Sequence, residues 1–151
     1  MILESILAFL HFSAILAVVV FATSEAALCR PEWMNARVVE RLVRVDRIYW
    51  IALTAVVLTG LARIFWGIKG GAWYWSNWLL HIKLTAVLVV IAISVRPTLH
   101  LRQWARAVRA GGPLPTEAEV GQVRRWVMIS THIVALVPLA AVFLARGFGG
   151  K

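Results

Sequence analysis

The chain has 151 residues, of which 61% are hydrophobic and 15% charged, yet its formal net charge is +9. A soluble domain carries about 25% charged residues to cover its surface, and a disordered chain is far less apolar than this one, so both classes are excluded. A basic nucleic-acid-binding domain accounts for the charge but not for the apolar excess; an integral membrane protein with basic loops on one side accounts for both.

A membrane-spanning helix needs about 20 mostly apolar residues. Four stretches qualify, at about 5–28, 48–66, 78–95 and 126–145, with no internal repeat between them. The expected fold is an all-α integral membrane four-helix bundle, one transmembrane domain over residues 1–151. The first stretch has Glu4 as its only early charge and an apolar run too long for a secretory h-region, so it reads as a span. It ends at Cys29, the only cysteine, which excludes an internal disulfide and reads as a buried or interfacial thiol.

Pro31 opens a basic segment in which Val38, Leu42, Val45 and Tyr49 recur at helical spacing opposite Arg37, Arg41 and Arg44, as if the second span continued as one long helix. After that span, residues 67–77 with their flanks carry Trp66, Trp73, Tyr74, Trp75 and Trp78, an interfacial aromatic belt that also suits the cover of a cofactor. The third span leads past Pro97 into residues 100–109, where Leu101, Trp104 and Val108 oppose Arg102, Arg106 and Arg109; this is a kinked extension of the span or an interfacial helix. Residues 111–115 are a Gly/Pro loop, and Thr116 with Glu119 forms a capping box leading into the fourth span.

Eleven of the sixteen Lys and Arg residues fall in intervals 29–47 and 96–125, on one side of the bundle. The positive-inside rule puts that side in the cytoplasm of a bacterial inner-membrane protein, with both termini periplasmic. The net charge is then topology plus attraction to anionic membrane lipid, not a nucleic-acid signal.

Ionisable groups inside a bilayer are costly and mark function. The candidates are His11, Glu25, Asp46, Arg63, His81, Lys83 and His132. His11 lies roughly 10 Å inside its end of span one and His81 roughly 5–8 Å inside the same side of span three, at a 1.5 Å rise per residue. Two imidazoles at matched depth suit axial ligation of haem iron, with Arg63 for a propionate and Gly60 for close approach of a flat ring. An interhelical hydrogen-bonding role for each histidine is the alternative. With no CxxCH motif, the haem would be b-type. His132 and His100 are a possible second pair only if the helix continues through Pro97. Glu25 shares a helix face with His11 and is expected either to pair with an Arg of 29–47 or to relay protons. Asp46, between Arg44 and Arg47, is expected in an interfacial charge network. Lys83, about 200° round its helix from His81, either snorkels outward or contacts a ligand.

The stretch Leu79-Leu80-His81-Ile82-Lys83-Leu84 resembles the His-x-Lys motif of the HemJ-type protoporphyrinogen oxidases, whose first helix also carries a His, as His11 does here. The CopD-like copper-resistance domains look similar at the same points. Over nearly the whole chain the sequence is closer to a family of uncharacterised predicted four-helix bacterial inner-membrane proteins, through Leu28-Cys29-Arg30-Pro31, Arg44-Val45-Asp46-Arg47-Ile48-Tyr49, Thr59-Gly60-Leu61-Ala62-Arg63, Gly67-Ile68-Lys69-Gly70 and Pro97-Thr98-Leu99. The HemJ resemblance implies haem b, electron transfer with quinone or porphyrinogen, His11 and His81 as haem-site residues and Lys83 as a site residue. It departs at residues 14–20, where the HemJ-type proteins carry Trp-Met-Ala-Gly. A non-catalytic membrane subunit or assembly factor, in a homo-oligomer or larger complex, and a small metal-handling or transport module are the other readings.

Overall fold

A computed structural model describes residues 2–66 and 75–146, apart from the side chains at 139–141, 144 and 145. Four long helices carry the described chain: α1 (Ile2–Leu28), α2 (Ala36–Trp66), α3 (Trp78–Arg109) and α4 (Glu117–Ala145), with a single 3-10 turn at Pro31–Trp33. There is no strand among the described residues. α1, α2 and α3 are each long and apolar enough to cross a membrane. The expected fourth span, 126–145, lies within α4 but includes side chains outside the described set, and the expected loop side chains Trp73, Tyr74 and Lys69 lie outside it altogether.

α1 packs mainly on α2 and α3 mainly on α4; α1–α4 and α2–α3 contacts close the ring, so α1 and α3 face each other across a diagonal. The buried stripe of α1, His11, Ala14, Val18, Ala22, Glu25 and Ala26, steps by three and four residues and is built of small side chains around two polar ones. Small residues let helix backbones approach where lipid supplies no hydrophobic drive to associate. The opposite faces carry large apolar side chains outward, among them Phe9, Leu16, Leu58, Phe65, Leu88 and Leu136. In water such a surface would aggregate; in a bilayer it is solvated. Hydroxyls outside the core close on their own helices: exposed Thr23 on the Val19 carbonyl (2.6 Å), exposed Thr54 on Trp50 (2.9 Å) and half-buried Thr131 on Val127 (2.8 Å).

Local signals set the helix ends. Asn35 Oδ1 accepts from the Val38 N–H at 3.0 Å and Asn77 Oδ1 from Leu79 at 2.9 Å, capping α2 and α3. Gly111, at φ 74°, supplies the left-handed residue that ends α3, and the Gly112 N–H returns to the Ala107 carbonyl at 2.9 Å. α2 and α3 each run unbroken from the basic segment into the span, and α3 passes through Pro97. The basic-end core is made by Cys29, Val39, Leu42, Leu101, Trp104, Val120 and Val123, while Arg37, Arg41, Arg44, Arg102, Arg106 and Arg109 face out.

The capping box before α4 forms as expected. The Thr116 N–H reaches Glu119 Oε2 at 2.7 Å and the Glu119 N–H reaches Thr116 Oγ1 at 3.4 Å. The bond from the Thr116 backbone holds the Glu119 carboxyl below the usual carboxylate range. A depressed folded-state value means the box is intact above the ordinary carboxylate range and opens as pH falls through the folded value. Thr116→Ala is expected to cost about 1 kcal/mol, read as a lowered thermal midpoint in detergent at pH 7.

Candidate functional site

Two polar sites lie inside the bundle. The first is near the tryptophan-bearing end, where α1 begins, α2 ends and α3 begins. The placement of His11 on the inward stripe of α1 leaves it 3% exposed. Its Nδ1 lies 2.9 Å from Thr59 Oγ1 on α2. The Thr59 hydroxyl spends its one proton on the Ala55 carbonyl at 2.6 Å, so toward His11 it accepts. That bond network assigns the proton to Nδ1 and leaves the lone pair on Nε2. Nε2 is buried and has no hydrogen-bond partner among the described residues. The ring rests on bare backbone: a Cβ at Gly60 would lie 3.2 Å from His11 Cε1.

Two cations act on this ring, and one of them is paired with a carboxylate. Lys83, half-buried on α3 across the diagonal, and Arg63 on α2 both act on His11 electrostatically. Arg63 Nη2 donates to Glu4 Oε1 at 3.3 Å, leaving Arg63 Nε and Glu4 Oε2 buried without a partner among the described residues. Glu4 and Thr59 carry no functional signal in the sequence, because each gains its role only where α1 and α2 pack.

His81 is placed differently. It is exposed, and its Nε2 donates to the Trp75 carbonyl at 3.0 Å, with the two rings 6.3 Å apart. Residues two apart on a helix point about 200° from each other, so when Lys83 turns inward His81 turns out. The structure gathers His11, Arg63 and Lys83, and no hydrogen bond or ring contact joins His81 to them among the described residues. His132 is exposed and donates from Nδ1 to the Met128 carbonyl of its own helix at 2.6 Å, while His100 lies half-buried with its ring 6.4 Å from Trp104. The continuation of α3 through Pro97 does not bring these two together. Among the described residues, no three of His, Cys, Asp and Glu cluster as a metal cage.

The second site is nearer the basic end and joins all four helices. On α2, Asp46 is 2% exposed rather than part of an interfacial charge network. The reason is register: it shares the buried stripe Val39, Leu42, Asp46, Tyr49, while Arg44 and Arg47 are exposed. Asp46 Oδ1 accepts from the Thr98 hydroxyl of α3 at 2.6 Å, and Thr98 accepts from Trp50 Nε1 at 2.7 Å. Beside it Tyr49, Ser94 and Ser130 form a hydroxyl chain, at 2.8 Å and 3.0 Å. Glu25, from α1, is 4% exposed. It forms no ion pair with the 29–47 arginines among the described residues, because those side chains lie on the outer face of their segment.

No curated protein and no solved structure matches the chain. A family model described as Predicted membrane protein (DUF2214) matches residues 3–149, nearly the whole length, and the chain belongs to that family.

Proposed function

We propose that the protein is a b-type haem-binding membrane protein of the bacterial inner membrane, with the basic end cytoplasmic and both termini periplasmic, that passes electrons to or from a quinone or a porphyrinogen. The observation that carries this reading is the state of His11: Nδ1–H held by Thr59, Nε2 buried, unpartnered and carrying the lone pair. Metal-bound histidines characteristically have one ring nitrogen fixed by a second group and the other free for the metal. The donor chemistry therefore fits a haem iron, and Gly60 lets the His11 ring seat directly against the α2 backbone.

His11 would be the ligand. Arg63, with an unpartnered Nε, and Lys83 would hold the propionates, since two cations stand against the single carboxylate of Glu4. The His-x-Lys likeness to the HemJ-type proteins points to the same cofactor, with Lys83 on the site side and His81 facing Trp75. Bound haem would supply one-electron exchange; Thr59 fixes the imidazole tautomer.

The test is the pyridine haemochrome of protein purified after haem supplementation. The expected result is b-type haem approaching one per chain; a purified, folded protein with no haem would contradict the reading.

A further inference from the structure

The second site is not used by the His11 reading and stands independently of it. Ala22, Glu25, Asp46, Tyr49, Ser94 and Ser130 line a small cavity, about 10 Å³ measured to the centres of a water-sized sphere. That is room for about one water molecule or one small bare ion. Its polar lining is entirely oxygen: two carboxylates and three hydroxyls. The Glu25 carboxylate, 4% exposed, opens onto this cavity and makes no hydrogen bond with any described residue.

A buried, unpaired carboxylate is among the most expensive groups a bilayer protein can hold, and it persists where something compensates it. Asp46 is already provided for. It accepts from Thr98 at 2.6 Å, and Arg102 acts on it electrostatically from outside. An ionised Glu25 has no cationic side chain to partner it among the described residues. The groups facing it from the neighbouring helices are Asp46 and Tyr49 on α2, Ser94 on α3 and Ser130 on α4; no Lys, Arg or His is among the lining residues.

We propose that this cavity is a binding site for a single small monovalent cation, Na⁺, coordinated by Glu25 with the Tyr49, Ser94 and Ser130 hydroxyls and with Asp46. Hard cations take oxygen ligands, and an ionised Glu25 calls for one positive charge. The shorter approach of a smaller cation to the Glu25 carboxylate favours Na⁺ over K⁺. Such a site links four helices through one ion, so occupancy holds the bundle together at the basic end.

The experiment is thermal unfolding of the full-length protein in a neutral detergent, titrated with NaCl, KCl or choline chloride at constant ionic strength. Na⁺ is expected to raise the midpoint saturably above choline, and K⁺ to do so only at concentrations at least tenfold higher, because a ligand that binds only the folded state stabilises it. Glu25→Gln should abolish the Na⁺ dependence. Ser130→Ala, a smaller change that keeps the carboxylate, should shift the half-saturating Na⁺ concentration upward about tenfold. If Na⁺ acts no differently from choline, the proposal is overturned. An infrared band of a protonated carboxyl that disappears in Glu25→Gln would then identify a proton as the occupant. An unchanged Na⁺ response in Glu25→Gln would overturn it equally, by placing the ion elsewhere.

Discussion

Thr98→Val is expected to destabilise the bundle by about 2–4 kcal/mol, with almost no change in side-chain volume. The hydroxyl it removes is the hub of the basic-end network, donating to Asp46 Oδ1 at 2.6 Å and accepting from Trp50 Nε1 at 2.7 Å. Valine leaves a buried carboxylate oxygen and an indole N–H without these partners, and unsatisfied buried groups cost more than the bond itself is worth. Denaturant or thermal unfolding in detergent measures the loss. The comparison is Thr54→Val, whose exposed hydroxyl bonds only the Trp50 carbonyl one turn earlier; it should stay within about 0.5 kcal/mol of the parent. Equal effects from the two variants would show that the Asp46 network contributes little.

Gly60→Val is expected to have the next largest effect, and at the other site. A Cβ alone would stand 3.2 Å from His11 Cε1 and 3.8 Å from Nδ1. Valine adds two methyl groups beyond that point, so the imidazole must leave its place and give up its bond to Thr59. Overpacking of this kind costs about 1–3 kcal/mol. The larger consequence is for the ligand: with the ring displaced, haem retention should fall to the level of His11→Ala while circular dichroism still reports a helical protein. Gly60→Ala needs a shift of only a few tenths of an ångström and should keep part of the haem. Full haem content in Gly60→Val would separate the His11–Gly60 contact from cofactor binding.

The two sites differ in how far they could be read from residue order. Apolar run lengths, Pro and Gly positions and the Thr116–Glu119 capping box are local properties, and the helices follow them. The inward turn of both His11 and Glu25 was also legible, because fourteen residues make nearly whole turns of a helix and small residues mark the same stripe. What was not legible depends on interhelical phase. Spacing along α3 shows that His81 and Lys83 point in opposite directions, but it does not say which one faces the bundle; packing against α2 and α4 decides that. Asp46 was obscured by its neighbours: between Arg44 and Arg47 it reads as a surface charge, although the stripe through Leu42 and Tyr49 carries it inside. Ser94, Thr98 and Ser130 are weak signals singly, since a hydroxyl on a membrane helix usually bonds its own backbone. They become a network only when three helices bring them together. Glu4 and Thr59 belong to the same class, given meaning by residues 59 and 48 positions away in sequence.

The geometry also separates the two polar sites by charge. The one near the tryptophans gathers Lys83 and the Arg63–Glu4 pair around the His11 imidazole. The one near the basic end gathers Glu25 and Asp46 with three hydroxyls and no cationic side chain. The apolar layer of Val18, Ala22, Tyr49, Leu53, Val90 and Val134 contributes to the core that joins the four helices.

The central claim is that His11 is the residue that binds the haem iron, and reduced-minus-oxidised spectra of His11→Ala and His81→Ala, purified side by side after haem supplementation, test it most directly. The Soret and alpha bands are expected to vanish in His11→Ala and to persist in His81→Ala, whose imidazole faces the Trp75 carbonyl. Bands that survive the loss of His11 would contradict it.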